Sequence, residues 1–324
     1  MTWLSQRALR REHEGSGTMD LSVVIPTYNQ ADLLAECLRS FQHQTLPPHT
    51  FEIIVVDDGS TDHTPATLRE FTAPPLGVIG IRFPDNRGRS AARNAGIARA
   101  SAPLVAFVDS DVIVRDDFLE WHVRTHRAHG PRILSRGPVI MTSDARVARQ
   151  GPIPRFSASP AYLDTANVVI PHAALVEAGL FDEGFPGYGW EDFELGMRLK
   201  RLGIRRIFTR LAVAFHLQVP LRWEGVDHLL RKEEERARSA VYFYQKHPTL
   251  ETRILIQATP FHRALYWVQA AGGILTPHNV IAVTQKLRKL GAPSLAFLGL
   301  RGVLNRHYIH RLGAEFKRHA AALA

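Results

Sequence analysis

Short apolar runs and amphipathic stretches alternate along the first half of the chain. LSVVIP (21–26), EIIVV (52–56), GVIGIRF (77–83) and PLVAFV (103–108) are nearly unbroken apolar runs of strand length. Between them the spacing predicts helices over Ala31–His43, over Asp62–Phe71 with Pro65 in its first turn, and near Ser90–Ala100. Strands covered on both faces read as continuous apolar runs. The alternation therefore predicts an α/β fold, Rossmann-like, with a mostly parallel sheet and helices on both faces.

The pattern changes after residue 131. Pro and Gly become frequent, and NVVI (167–170), RRIF (205–208) and LAVAF (211–215) are further strand candidates. FPGYG (185–189) leads into WEDFELGMRLKRLG, a helix that Gly203 is placed to end. On that helix Asp192, Leu195, Leu199 and Leu202 share the inward stripe, whereas Glu194 and Arg198 form an outward i,i+4 pair. From Val226 the chain turns helical, with segments over 227–247 and near 249–272, 277–290 and 294–319. The organisation expected is a tail over 1–19, an α/β domain over 20–223 and a helical region over 224–324.

Charge sharpens that division. The chain carries 40 Lys and Arg against 31 Asp and Glu, and residues 221–324 hold 16 of the basic and 7 of the acidic ones. The surplus of +9 thus belongs to the helical region, as a solvated basic face or as a surface for anionic membrane or nucleic acid. A mean hydropathy of −0.12 excludes an apolar chain, and no run reaches the about 18 residues of a bilayer-spanning helix. The first fifteen residues lack an apolar run of signal length, and the single cysteine, Cys37, fits a reducing compartment. A cytoplasmic protein is expected, with contact at the inner membrane face through the basic helices.

Chemistry concentrates where strands end. Asp57-Asp58 follows the second run and Asp109-Ser110-Asp111 the fourth, and ligands of parallel sheets bind at those carboxyl ends. The first turn, VVIPTYNQ, lacks the glycines of a dinucleotide fingerprint, and no P-loop motif occurs. A rim of carboxylates cannot hold phosphate directly but can do so through a hard divalent cation, Mn2+ or Mg2+. The alternative for Asp-x-Asp is a turn that caps the next helix. Asp192, at a helix N-terminus that favours its ionised form, is a candidate general base, or simply an acidic first-turn residue. His216, closing LAVAF, is a candidate cation ligand or a core histidine. His122 and His126 lack a third ligand and read as surface or core histidines.

In combination, VVIPTYN, VVDDGSTD, NRGRSAARNAG and FVDSD resemble the nucleotide-binding half of family 2 glycosyltransferases with the GT-A fold. GLFDEGFPGYGWEDFELGMRL resembles the GWED acceptor motif of chondroitin-polymerase-like enzymes and β-1,4-galactosyltransferases. Together these cover about residues 20–220. The resemblance implies an inverting, metal-dependent transfer of sugar from a nucleotide diphosphate sugar, most naturally a UDP-sugar, to a hydroxyl of a carbohydrate, lipid-linked or protein acceptor.

The same resemblance assigns roles. Pro26 and Tyr28 would line the base pocket, Asp58 would accept from the nucleobase amide, and Asp57 would support that loop. Arg93 would help hold the nucleotide, Asp109 would meet ribose or a metal-bound water, and Asp111 would bind metal with His216. Trp190 would pack on a sugar ring, Glu191 would bind acceptor hydroxyls, and Asp192 would deprotonate the attacking one. Gln218-Val219-Pro220-Leu221-Arg222-Trp223 is one residue longer than the Q-x-x-R-W signature of processive synthases, so a non-processive enzyme is expected. The competing reading is a non-catalytic binder of nucleotide sugar, nucleic acid or anionic surfaces; a nucleic-acid role leaves the acidic clusters unexplained.

Overall fold

A computed structural model describes residues 19–144, 153, 161–217 and 226–322. The expected tail and the Gln218–Trp223 near-match therefore lie outside the described residues, apart from Met19. By internal packing the described residues form two units. One runs to Phe181 and resumes from Leu195 to Leu217; the other joins Asp182–Glu194 to the helices from Val226 on.

The first unit holds a seven-stranded sheet of β1 (Leu21–Thr27), β2 (Phe51–Asp57), β3 (Ile79–Arg82), β4 (Leu104–Phe107), β6 (Ile133–Arg136), β8 (Val168–Pro171) and β9 (Arg205–Phe208). Their order across the sheet is β3-β2-β1-β4-β8-β6-β9. Strands β5 (Val112–Val114), β7 (Val139–Thr142) and β10 (Ala214–Leu217) form a smaller sheet in the order β5-β10-β7. The mostly parallel sheet is present as expected, except that β8 runs antiparallel to both β4 and β6. An apolar run such as NVVI carries no direction; its partners supply that.

Helices α1 (Ala31–Phe41), α2 (Thr64–Glu70), α3 (Arg89–Arg99), α4 (Phe118–His129) and α5 (His172–Ala178) connect these strands. Leu34, Leu38 and Phe41 of α1 follow i, i+4, i+7 and pack with Leu21, Val23 and Ile25 of β1 in one buried cluster. The other face of β1 presents Val24 to Ile97, Phe107 and Leu175, joined by Leu195 and Leu199 of α6 (Glu191–Arg201). At Gly96 an added Cβ would stand 2.3 Å from Val24 Cγ1, so glycine lets α3 close on the strand.

Parallel register puts the chemistry on one rim. Thr27 pairs with Asp57 and Val24 with Phe107, so β1, β2 and β4 deliver Tyr28, Asp58 and Asp109 at the same edge. The smaller sheet adds His216, whose register partner on antiparallel β5 is Val112.

The second unit contains α7 (Asp227–Lys246), α8 (Leu250–Leu255), α9 (Pro260–Gln269), α10 (Val280–Lys289) and α11 (Pro293–Ala322). Helices α7, α9 and α10 all pack on α11, around Val226, Val280, Leu300, Val303 and Leu304. Among the described residues no helix is long and apolar enough to cross a membrane.

Candidate functional site

The carboxylate rim is built from three loops tied to one another. Asp57 is fully buried; its Oδ1 accepts from the Ser60 amide at 2.9 Å, and Arg82 stands 3.5 Å from Oδ2. Asp58, also buried, spans a longer gap. Its two oxygens accept from the Arg87 and Gly88 amides at 2.7 and 2.9 Å. Burial pushes the Asp58 carboxyl up and Asp57 adds to that, against these two amides, which favour its charge. The expected base acceptor is thus first a clasp on the loop that opens α3. Gly59 makes this approach possible, with φ at +76° and a Cβ position only 2.5 Å from the Asp85 carbonyl carbon. Asn29, at φ +53°, fastens the first loop, its Oδ1 accepting from the Thr61 amide at 2.8 Å. Tyr28 is exposed beside it and Pro26 half-buried, the disposition of a wall open to a planar ligand.

Arg93 is 2% exposed, the largest fully buried side chain in the chain's described part. It donates to Asp109 Oδ1 at 3.1 Å and to Thr165 Oγ1 at 2.8 Å, with its guanidinium over the Phe181 ring at 5.4 Å. Arg93 is thus tied to the rim through Asp109. Thr165 and Phe181 were not foreseen, because nothing local to them signals the arginine they hold. Ser110, between the two acids, is buried and donates to the Gln30 side-chain oxygen.

Asp109, Asp111 and His216 form a cluster with one ligand atom from each lying within 4.8 Å of the others. His216 Nε2 stands 3.6 Å from Asp111 Oδ1, and the buried His216 Nδ1 has no hydrogen-bond partner. Ligand atoms around a cation with bonds of about 2.1 Å stand roughly 3 Å apart, so small side-chain shifts suffice. Burial raises the Asp111 carboxyl and Asp109 adds to the rise, while His216 opposes it. Two crowded carboxylates and an imidazole are a fitting donor set for a divalent cation of the manganese or magnesium kind. Cys37 lies behind them with its Sγ 3.7 Å from the Asp109 carbonyl, and burial followed by the two aspartates drives its thiol far up, keeping it neutral.

His122 and His126 are core histidines. His122 bonds Ser135 Oγ at 2.7 Å and Asn167 Oδ1 at 3.0 Å, and burial lowers it to about 3; burial likewise lowers His126 to about 4.

The GWED segment belongs to the helical unit, and its packing departs from two expectations. Trp190 is 5% exposed, at φ +76°, with its ring stacked toward Phe243 at 6.3 Å and edge-on to Phe193 at 5.3 Å. Its Nε1 donates to the Arg236 carbonyl at 3.0 Å, and the Arg236 guanidinium lies 5.2 Å from the ring. Protein side chains thus take the ring area that a sugar would need. Glu194, expected to face outward with Arg198, is fully buried instead. It accepts from His247 Nε2 at 2.9 Å and meets Lys246 Nζ at 3.2 Å, because α7 ends against it. Lys246 also reaches Asp182 at 2.5 Å, and Tyr242 donates to the same carboxylate at 2.9 Å. Burial alone would raise Asp182, but Lys246, the Gly184 amide and Tyr242 outweigh it and hold it low. Arg198 donates to the Ala178 carbonyl. Glu191 is buried, and Asp192 is half-buried with its Oδ1 2.8 Å from the Phe193 amide.

Residues 22–185 match the family described as Glycosyl transferase family 2. Among curated proteins, a validoxylamine A glucosyltransferase of Streptomyces hygroscopicus subsp. limoneus is 33% identical over 227 residues, 59% of this chain and 50% of that protein. The matched stretch thus spans about half of that relative's length. Two solved structures share the fold. The mannosyltransferase PcManGT from Pyrobaculum calidifontis, in complex with GDP-Man and Mn2+, gives a TM-score of 0.57 at 19% identity, covering 94% of each chain. S. aureus TarS 1-349, in complex with UDP, gives 0.52 at 17% identity, covering 90% of each.

Proposed function

The chain belongs to glycosyl transferase family 2, and from that premise we propose that it is an inverting, non-processive glycosyltransferase using a nucleotide diphosphate sugar, most naturally a UDP-sugar. The observation that carries the reading is the Asp109–Asp111–His216 cluster on the rim where β1, β2 and β4 end. Asp111 and His216 would hold Mn2+ or Mg2+, with Asp109 as ligand or as partner of a bound water or ribose. A cation held there would offset the negative charge of the departing diphosphate.

The remaining steps fall to the chain's own groups. Arg93 holds Asp109 through one oxygen, and the other would be left for the metal-bound water or ribose. Asp58 keeps the Arg87–Gly88 loop closed beside the nucleobase, while Pro26 and Tyr28 wall the base and Asp57 braces the turn. Glu191 would orient acceptor hydroxyls and Asp192 would take the proton of the attacking one at its carboxylate. Trp190, given its burial, would underlie that turn rather than stack on the sugar. The acceptor is a hydroxyl of a glycan, lipid-linked or protein molecule, and the basic helical region would bring the enzyme to an anionic membrane face.

The test is a donor panel assayed for hydrolysis and transfer with and without Mn2+. Turnover that needs both a nucleotide sugar and the cation supports the reading. Absence of binding and turnover with every nucleotide sugar overturns it.

A further inference from the structure

Trp190 is held in a backbone conformation that its own chemistry disfavours. At φ +76° it occupies the left-handed region, uncommon for a bulky side chain, directly before Glu191 and Asp192. Such a conformation persists only where its surroundings over-determine it. The Trp190 carbonyl accepts from the Glu194 amide at 2.9 Å, which is the first hydrogen bond of α6. The direction of the first turn of α6 therefore follows from how Trp190 is set.

Helix α7 sets it largely through one residue. The Arg236 carbonyl accepts from Trp190 Nε1 at 3.0 Å. The Arg236 guanidinium lies 5.2 Å from the Trp190 ring and 4.4 Å from the Tyr308 ring, within cation–π reach of both. Tyr308 is itself fixed: it is fully buried on α11, and its Oη donates to the Ile256 carbonyl at 2.7 Å. Two acceptors orient the plane of the guanidinium. Nη1 donates to Glu233 at 2.9 Å and Nη2 to Gln257 at 3.4 Å. Another side chain could fill this volume, but it would lack the planar fork that these acceptors orient.

We propose that Arg236 is a positioning residue for the transfer, gripping the Trp190 ring so that the first turn of α6 presents Glu191 and Asp192 to the acceptor in one direction. It acts through Trp190 and not on a substrate. The inference rests on the transferase reading above, in which Asp192 is the base. The buried ring of Trp190, expected from the sequence to carry a sugar, serves as the handle.

Arg236→Met combined with Glu233→Gln removes the cation without stranding its buried carboxylate, and tests the proposal in the full chain. Water can stand in for the acceptor hydroxyl, so nucleotide-sugar hydrolysis reads the base. Its kcat should fall about ten- to hundredfold, the cost of misplacing a reacting group, while nucleotide affinity stays unchanged. The Trp190 emission, isolated as the difference from Trp190→Phe, should become more open to acrylamide quenching. Arg236→Lys keeps a cation beside Glu233 but not the fork, and should lose less of the rate. Where circular dichroism shows that the paired variant does not fold, Arg236→Lys carries the test with that smaller loss in kcat. The proposal is overturned by unchanged kcat in the folded variants or by nucleotide affinity falling in step with kcat. Slowed turnover with Trp190 quenching unaltered equally overturns it. Absence of hydrolysis by the unaltered protein with every nucleotide sugar removes the transferase reading itself. Hydrolysis at full rate in the variants removes the role of Arg236 alone.

Discussion

Arg93 and Asp109 meet at 3.1 Å, one fully buried and the other half-buried. The pairing makes Arg93, expected as a nucleotide contact, also a support for Asp109. Arg93→Met keeps most of the stem's volume but leaves Asp109 and Thr165 without their donor. Stability should fall by about 2 kcal/mol, less than the roughly 3–5 kcal/mol of a fully buried broken pair, because Asp109 keeps solvent contact. Divalent-cation affinity should fall about ten- to hundredfold, as when an outer partner of a ligand is lost. Urea unfolding and isothermal titration with Mn2+ measure the two effects.

Asp111→Asn removes a charged ligand candidate at a position that backbone pairing already fixes, since Leu217 donates to the Asp111 carbonyl at 2.8 Å. Folding should be retained and Mn2+ binding lost. Turnover should fall by more than about a hundredfold, beyond the loss from removing an outer partner. Circular dichroism alongside titration distinguishes this from unfolding.

Asp192→Asn should leave the nucleotide site intact while slowing transfer about 100- to 10,000-fold, the range of general base catalysis. Steady-state kinetics paired with nucleotide affinity is the measurement. Equal loss of both would give Asp192 a structural role only.

Acid should weaken the sheet unit through its two core histidines. Folded His122 and His126 stay neutral down to about 3 and about 4, whereas the unfolded chain protonates them near 6.5. The unfolded state therefore binds more protons between those values. The contribution is whole above about 6.5 and is lost as pH falls toward 3, at up to about 1.4 kcal/mol per pH unit for each histidine. Urea midpoints from pH 7 to pH 4 should show a shallower fall in His122→Gln than in wild type.

Gly59→Ala combines a left-handed backbone with a Cβ 2.5 Å from the Asp85 carbonyl carbon. A loss of more than about 2 kcal/mol is expected. Because the Asp58 clasp sits beside it, nucleotide affinity should fall with it. Thermal shift in the presence of UDP reports both.

Much of this architecture was legible because strands buried on both faces write themselves as apolar runs, and the acids of the candidate site follow two of those runs directly. What local pattern does not encode is pairing between distant segments. Asp111 and His216 meet because β10 lies antiparallel on β5, with Val112 opposite His216. Val112–Val114 is too short a run to announce itself as a strand. Glu194 illustrates the reverse error: its spacing to Arg198 is that of a surface pair, yet Lys246 and His247 at the end of α7 draw it into the interior. The buried ring of Trp190 follows from the same neighbour, through Phe243 and Arg236.

Order along the chain and order in packing disagree at Asp182–Glu194, which sits between two stretches of the sheet unit yet folds with the C-terminal helices. A graft meant to exchange this segment between relatives has to move these thirteen residues together with α7 and His247 at its end, which grip Trp190, Asp182 and Glu194. Cutting once, after the last strand, would part a lock from its key.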